Sequence, residues 1–237
     1  MSGSFVEVPI EAGGTMPAYY VPGSGETPMP GIVLLQEIFG IDANIRETAE
    51  TFAQLGYDVV VPDLFWRQEA RVDLDPSSEH DRERATSLLK GLNEELAIED
   101  SLAATAYLRA LSGDTRKIGA VGYCLGGKLA YLLAMGRGID ASVSYYGVAI
   151  QGALEEADDL GAPLLLHIAE RDHLCPTEAQ AAIHRSFDNN DKVRILDHPG
   201  VGHGFARQGF PSFDPEAAGR ADRATAEFLT KHLRSGA

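Results

Sequence analysis

The sequence predicts an α/β fold: a mostly parallel central sheet with helices on both faces and an antiparallel hairpin at the N-terminal edge. Three observations carry that prediction. From about residue 30 onward, short β-branched or apolar runs alternate with longer amphipathic stretches, the rhythm of strand–helix–strand crossover units. The short runs are apolar throughout, as strands covered by helices on both faces should be. The composition is that of an ordinary globular chain, 237 residues with 44% hydrophobic and 23% charged. A chain of that size buries most of its unfolded surface in a large core.

Taken in order, Phe5–Ile10 and Met16–Val21 flank Gly13-Gly14 and read as the hairpin. Gly31–Gln36, Asp58–Val61, Lys117–Gly122, Ala141–Tyr146, Pro163–Ala169 and Lys192–Asp197 are the strands that follow. Between them, helices are expected over Asn44–Leu55, Glu79–Leu111, Leu125–Met135, Thr177–Phe187 and Pro215–Leu233. The polar stretch Arg67–Arg84, with Asp73, Asp75, Pro76 and two serines, is expected to form a long excursion. It is too short for a linker, and no repeat or low-complexity tract interrupts the pattern, so residues 1–237 read as one domain.

Charge and cysteine content narrow the function classes. Twenty basic against 35 acidic residues give a formal charge of −15. Such a field disfavours nucleic acid and anionic lipid as partners. The N-terminal residues lack a basic start followed by an apolar run, and no stretch reaches the ~18 apolar residues of a membrane helix. Two cysteines, Cys124 and Cys175, are too few for a disulfide scaffold. A cytoplasmic protein, monomeric or a small homo-oligomer, is the expectation, with a small molecule as its partner.

The most informative segment runs from Ile118 through Gly122-Tyr123-Cys124-Leu125-Gly126-Gly127 to Lys128. An apolar strand enters Gly122 and a helical pattern begins just beyond Cys124. This is the G-x-nucleophile-x-G elbow with cysteine in place of the usual serine. The nucleophile of such an elbow sits on a strained strand-to-helix turn. The residues two before and two after it must therefore be small, here Gly122 and Gly126. The helix start also favours the thiolate. Taken alone, a cysteine after a strand is more often a small buried hydrophobe, so its partners decide.

An acid and a histidine should follow in chain order, each just past a strand end. Glu170-Arg-Asp-His173 follows the strand Pro163–Ala169, which places Asp172 as the acid. The loop after Lys192–Asp197 reads His198-Pro-Gly-Val-Gly-His-Gly-Phe205 and offers His203 between two glycines as the base. Cys124, Asp172 and His203 therefore form the expected triad. Glu170 and Asp197 are alternative acids. His173 and His198 are alternative bases, each close to its strand end. His167 lies inside an apolar strand and reads as a core histidine, whereas His80, His184 and His232 fall on polar helical segments. No histidine spacing suits a metal, and no metal or other cofactor is expected.

An oxyanion hole needs two donors. The N–H of Leu125, directly after the nucleophile, is one, and Ile38 N–H, in the loop after the strand Gly31–Gln36, is the second. Glu37, at that strand end, is unexpected there, because a carboxylate beside the nucleophile opposes thiolate formation. Its other reading is an exposed loop acid or an ion-pair partner.

Gln36-Glu-Ile-Phe-Gly40, Pro62-Asp-Leu-Phe65, the Cys124 elbow, Tyr145-Tyr-Gly147, the Asp172 loop and Gly202-His-Gly-Phe-Ala-Arg207 together resemble the dienelactone hydrolase family, a cysteine branch of the α/β-hydrolases. The resemblance covers nearly the whole chain. It implies hydrolysis of a cyclic enol ester, the dienelactone formed when chlorinated catechols are broken down, to maleylacetate, and so a place in aromatic compound catabolism. It also implies a role for Glu37: holding the resting thiol neutral, then accepting its proton once substrate draws the carboxylate away. Arg82 and Arg207 match the arginines that receive the substrate carboxylate, a task suited to a guanidinium fork. For Arg82 the competing reading is a solvated charge run, Asp81-Arg-Glu-Arg84.

Tyr145 and Phe39 are expected to line an apolar substrate cleft, though core packing explains such residues nearly as well. Departures from the family at Thr86, Leu89 and Gly204 touch the substrate pocket and not the elbow. A broader carboxylesterase or thioesterase is therefore the first alternative. A non-catalytic binding relative is the second, and it leaves Asp172, His203 and Glu37 without a purpose.

Overall fold

A computed structural model describes residues 2–11, 13–25, 29–112, 116–136 and 138–234. The chain divides into two compact units, 1–118 and 119–237. The first unit opens with β1 (Ser4–Pro9) and β2 (Thr15–Val21), the antiparallel hairpin, with Val6 opposite Ala18. β3 (Gly31–Leu35) and β4 (Asp58–Pro62) complete it, in the spatial order β1-β2-β4-β3. β4 runs antiparallel to β2 and parallel to β3. Both β3 and β4 are buried at every position, and apart from Asp58, which opens β4, their residues are apolar.

The crossover from β3 to β4 is α1 (Ala43–Gln54). Asp42 caps it by accepting the Ile45 N–H at 2.9 Å, and Ile45, Ala49, Phe52 and Ala53 form its buried stripe. The single helix expected over Glu79–Leu111 is two, α2 (Glu79–Gly91) and α3 (Glu94–Ser112). The break has a local cause. The side chain of Asn93 accepts the Leu96 N–H at 3.1 Å and starts a new helix directly after Gly91 and Leu92. Ser78 caps α2 in the same way.

The excursion that begins at Arg67 folds back on the turn after β3. Ile41 N–H donates to Val72 O and Leu74 N–H to Phe39 O, at 2.9 and 3.0 Å. Gly40 permits this approach: its φ is +82°, and a Cβ there would lie 2.0 Å from Val72 O. Deeper in this unit, Asp58 pairs with Arg116 at 2.9 Å, both buried. The Asp100 carboxylate receives Trp66 Nε1–H and Arg67.

The second unit contains four parallel strands in the order β5-β6-β7-β8: β5 (Ile118–Tyr123), β6 (Ala141–Tyr145), β7 (Leu164–Ala169) and β8 (Val193–His198). The crossovers carry α4 (Leu125–Met135) and α5 (Thr177–Phe187), and the chain closes with α6 (Pro215–Leu229). Asp214 caps α6, with Pro215 at the first helical position. The final turn expected as α-helix is π-helical, Thr230–Arg234. A 3-10 segment, Ile150–Asp159, lies between β6 and β7 where the sequence pattern indicated no helix. Tyr131, Leu164, Leu166, Ile168, Ile183 and Phe187 form the centre of the core that joins α4, β7 and α5. No described helix is long and apolar enough to cross a membrane.

Candidate active site

The end of β5 sets the geometry. Cys124 stands between that strand and α4 with φ 55° and ψ −112°, a conformation that costs a non-glycine residue about 1–3 kcal/mol. Its surroundings fix it there. Cys124 N–H donates to Tyr145 O at 3.1 Å, and its carbonyl accepts Lys128 N–H and Val148 N–H. Gly122 and Gly127 are required by close contact: a Cβ on Gly122 would lie 1.9 Å from Gly126 O, and one on Gly127 would lie 2.7 Å from Tyr145 O. Cys124 as a whole is left only 8% exposed at the start of α4, where Leu125 N–H belongs to the first, unsatisfied turn of the helix.

Asp172 lies in the turn after β7. Its Oδ1 accepts Leu174 N–H at 2.8 Å, which leaves Oδ2 to accept His203 Nδ1–H, also at 2.8 Å. Gln180, on α5, pins this turn with its amide, donating to the carbonyls of Ala169, Glu170 and Cys175. The His203 loop is tied to the Asp172 turn at two points. Arg171 N–H donates to Val201 O at 2.9 Å, and Gly200 N–H donates to Glu170 Oε2 at 2.6 Å. Gly204 follows with φ +78°, and Ser212 Oγ–H donates to His203 O.

The structure thus brings Cys124, His203 and Asp172 together within the second unit. Burial acts on the His203 ring to lower its pKa. Hydrogen bonds with Asp172 and Cys124, and the charges of both, act the other way and prevail, pushing it up to about 10. The ring is therefore held protonated at neutral pH, with Asp172 as its counter-ion. Among the competing residues, Glu170 is engaged with Gly200 and Asp197 with His184 at 3.0 Å. His198 bonds His167 inside the protein. His173 is exposed, its ring 6.0 Å from that of His203.

The expected substrate residues are placed differently from one another. Tyr145 requires correction as a cleft residue. It is fully buried at the end of β6, and its hydroxyl is turned to Thr225 and Asp222 on α6, at 2.7 and 3.0 Å. The next residue, Tyr146, takes the place beside the site: with φ +39° its ring turns to within 5.0 Å of His203. One signal for it lies in the sequence, the motif Tyr145-Tyr-Gly147, which does not say which tyrosine faces the histidine.

Arg207 is buried, with its guanidinium 5.8 Å from the Phe210 ring centre and its N–H donated to Gly204 O. Arg82 is exposed on α2, and its Nη1 donates to the carbonyls of Pro76 and Ser77, at 2.8 and 2.9 Å. In this state its guanidinium ties down the turn before α2. In the first unit, Glu37 and Phe39 are buried and Ile38 is half-buried, in the turn after β3. Among the described residues, no group of three or more His, Cys, Asp or Glu side chains is arranged to hold a metal ion.

The family model for the dienelactone hydrolase family matches residues 16–233. Carboxymethylenebutenolidase 1 of Cupriavidus pinatubonensis is 36% identical over 94% of this chain and 95% of its own length. The carboxymethylenebutenolidase of Pseudomonas putida is 36% identical over 86% of each chain. A crystal structure of a candidate dienelactone hydrolase from Klebsiella pneumoniae has the same fold, with a TM-score of 0.86 at 24% identity, over 97% of this chain and 98% of that one. The fold is accordingly that of the α/β-hydrolases, and the chain is a hydrolase that belongs to the dienelactone hydrolase family.

Proposed function

We propose that the protein opens a small anionic lactone of the dienelactone type by covalent thiol catalysis, with Cys124 as nucleophile, His203 as acid and base, and Asp172 as the group that orients His203. The observation that carries this reading is the continuous hydrogen-bonded line from Asp172 Oδ2 through the His203 ring to the Cys124 thiol, at a backbone strained enough to need a reason. The substrate class comes from the carboxymethylenebutenolidase relatives. The family model spans both compact units, which supports a single catalytic domain.

In this scheme the Cys124 thiol passes its proton to Glu37, the sulfur attacks the ring carbonyl, and the carbonyl π electrons move to its oxygen. Leu125 N–H, at the positive end of α4, stabilises that oxyanion. The carbonyl then re-forms, and the bond to the ring oxygen breaks. Its electron pair leaves as an enolate, which takes the proton of the His203 imidazolium, and the acyl group stays on sulfur as a thioester. His203, now neutral, takes a proton from water. The hydroxide so formed adds to the thioester, the carbonyl re-forms, and the thiolate leaves and regains its proton from Glu37. Asp172 stabilises the imidazolium whenever the ring holds its second proton.

Ile38 as second oxyanion donor and Glu37 as guard of the resting thiol are part of the proposal through the family resemblance. Arg207 is assigned to the substrate carboxylate on the same ground; its burial would strengthen a fork of two hydrogen bonds. A panel of neutral phenyl esters, alkyl thioesters and carboxylate-bearing lactones at fixed enzyme concentration tests the reading. Preference for the anionic lactone is expected, and that preference should be lost in Arg207→Ala. Equal turnover of all three classes would favour the broader esterase instead.

A further inference from the structure

Beneath the triad lies a chain of polar side chains that the reaction scheme does not use. Asp222 and Thr225, one helical turn apart on α6, reach Tyr145 on β6, His167 on β7 and, through His167, His198 on β8. Tyr145 O–H donates to Asp222 Oδ1 at 3.0 Å, and Tyr145 and Thr225 share a hydrogen bond of 2.7 Å. Thr225 Oγ1 lies 3.0 Å from His167 Nε2, and His167 Nδ1 lies 3.0 Å from His198 Nε2. Tyr145, Thr225, His167 and His198 are buried, while Asp222 has one side in water.

Donor counting fixes the direction of every bond. An ionised Asp222 only accepts, so Tyr145 gives it its single hydrogen. The Tyr145 oxygen must then accept from Thr225, and Thr225 from His167 Nε2–H. With Nε2 protonated, a neutral His167 presents a lone pair at Nδ1, so His198 donates from its own Nε2–H. All four hydrogen bonds point toward Asp222, and both imidazoles are held in the same tautomer.

The far end of this chain touches the catalytic loop. The His198 ring lies 4.6 Å from Phe205, Phe205 lies 5.5 Å from Tyr146, and Tyr146 lies 5.0 Å from His203. We propose that Asp222, Tyr145, Thr225, His167 and His198 are positioning residues for His203. Their one-way chain locks both buried imidazoles as Nε2–H tautomers, and so sets the ring stack of Phe205 and Tyr146 against which His203 turns. This rests on the reading of His203 as the catalytic base.

The surroundings suit neutral imidazoles. His167 faces His198 and Arg194 from β8, Thr225 from α6 and Tyr145 from β6. Burial, then the neighbouring His198 and Arg194, hold its pKa well below the ordinary range. His198 faces His167 from β7, Arg220 from α6, Phe205 from the loop and Asp197 from its own strand. Its pKa is lowered by burial and by Arg220, with Asp197 opposing. Near Asp222 stand Tyr145 and Arg223, and Tyr123 of β5 stacks on Tyr145 at 4.5 Å. A second proton on His167 would set two N–H groups against each other at the His167–His198 contact, so acid should break the chain.

Thr225→Val removes the central hydroxyl while keeping the side-chain shape. Its kcat on a neutral phenyl ester should fall about tenfold with KM changed less than about twofold. Thr225→Ser should restore kcat, and the acid limb of the kcat profile should move to higher pH in the valine variant. Imidazole nitrogen NMR of the parent should show His167 and His198 as Nε2–H tautomers, and the valine variant should lose that uniformity. A parent spectrum with His167 protonated at Nδ1, or an unchanged kcat in Thr225→Val, overturns the proposal. Should Thr225→Val fail to fold, Asp222→Ala, which removes the terminal acceptor at the exposed end, takes its place with the same expectations. Failure of the underlying triad would look different, because Cys124→Ala would then keep hydrolysing the ester.

Discussion

Cys124 and His203 occupy states that neither residue would adopt alone. A left-handed backbone at Cys124 is held by hydrogen bonds to its N–H and carbonyl and by glycines that leave no room for a side chain. Gly122→Ala places a methyl 1.9 Å from the Gly126 carbonyl, so backbone must move. Chemical denaturation should show a loss of about 3–5 kcal/mol; a loss near zero would mean that the elbow is looser than described. The His203 ring should show no NMR titration through neutrality and a midpoint at about 10. In Asp172→Asn that midpoint should move down, since a neutral amide removes both a charge and an acceptor that favour the imidazolium. An unchanged midpoint would remove Asp172 as the cause. At this scale the sequence shows which side chains meet, not what they do: Cys124, Asp172 and His203 come together where an elbow imposes glycine spacing and each partner follows a strand end. Tyr145 was misjudged, because alternation at a strand end does not say which of two adjacent tyrosines turns toward the loop, and the positive φ at Tyr146 has no glycine to announce it.

Among the elements, the turns after β7 and β8 do most to hold the site. Gln180 on α5 donates to three carbonyls around the Asp172 turn, a function that no sequence motif signals. Gln180→Ala should lower kcat about three- to tenfold while KM and the thermal midpoint change little. A fall in midpoint without a fall in kcat would make Gln180 a structural residue only. Strand limits in the sequence agree with the structure to within a residue or two at each end, because complete burial leaves a mostly apolar run. The helix boundary at Gly91–Asn93 was missed although its signals, a glycine stop and an asparagine cap, are present; two helices with continuous apolar periodicity look like one. The 3-10 segment Ile150–Asp159 escaped for a different reason, since its period is neither that of a strand nor that of an α-helix.

Across the whole molecule, the titrating groups make stability depend on pH in ways whose signs can be worked out. The His203 pKa is raised above the ordinary 6.5, so its contribution is complete below about 6.5 and disappears as pH rises through about 10. His167 and His198 are lowered below 6.5, so the unfolded chain takes up protons more readily and stability declines as pH falls below that value. Asp63 in the first unit opposes this decline. Burial raises it to about 6 from 3.8, so the folded chain binds that proton first. In Asp63→Asn, stability measured in denaturant should therefore fall more steeply than in the parent between ~pH 7 and ~pH 5. Equal slopes would mean that Asp63 is not the opposing group. None of these couplings could be read from the sequence, because each depends on burial and on neighbours distant along the chain.

The central claim is that the Cys124 sulfur carries the reaction. The most direct measurement is the turnover of Cys124→Ala on a carboxylate-bearing lactone, with circular dichroism confirming that the variant is folded. The account predicts a loss of about 10³-fold or more relative to the parent. Hydrolysis within about tenfold of the parent by a folded Cys124→Ala protein would contradict it.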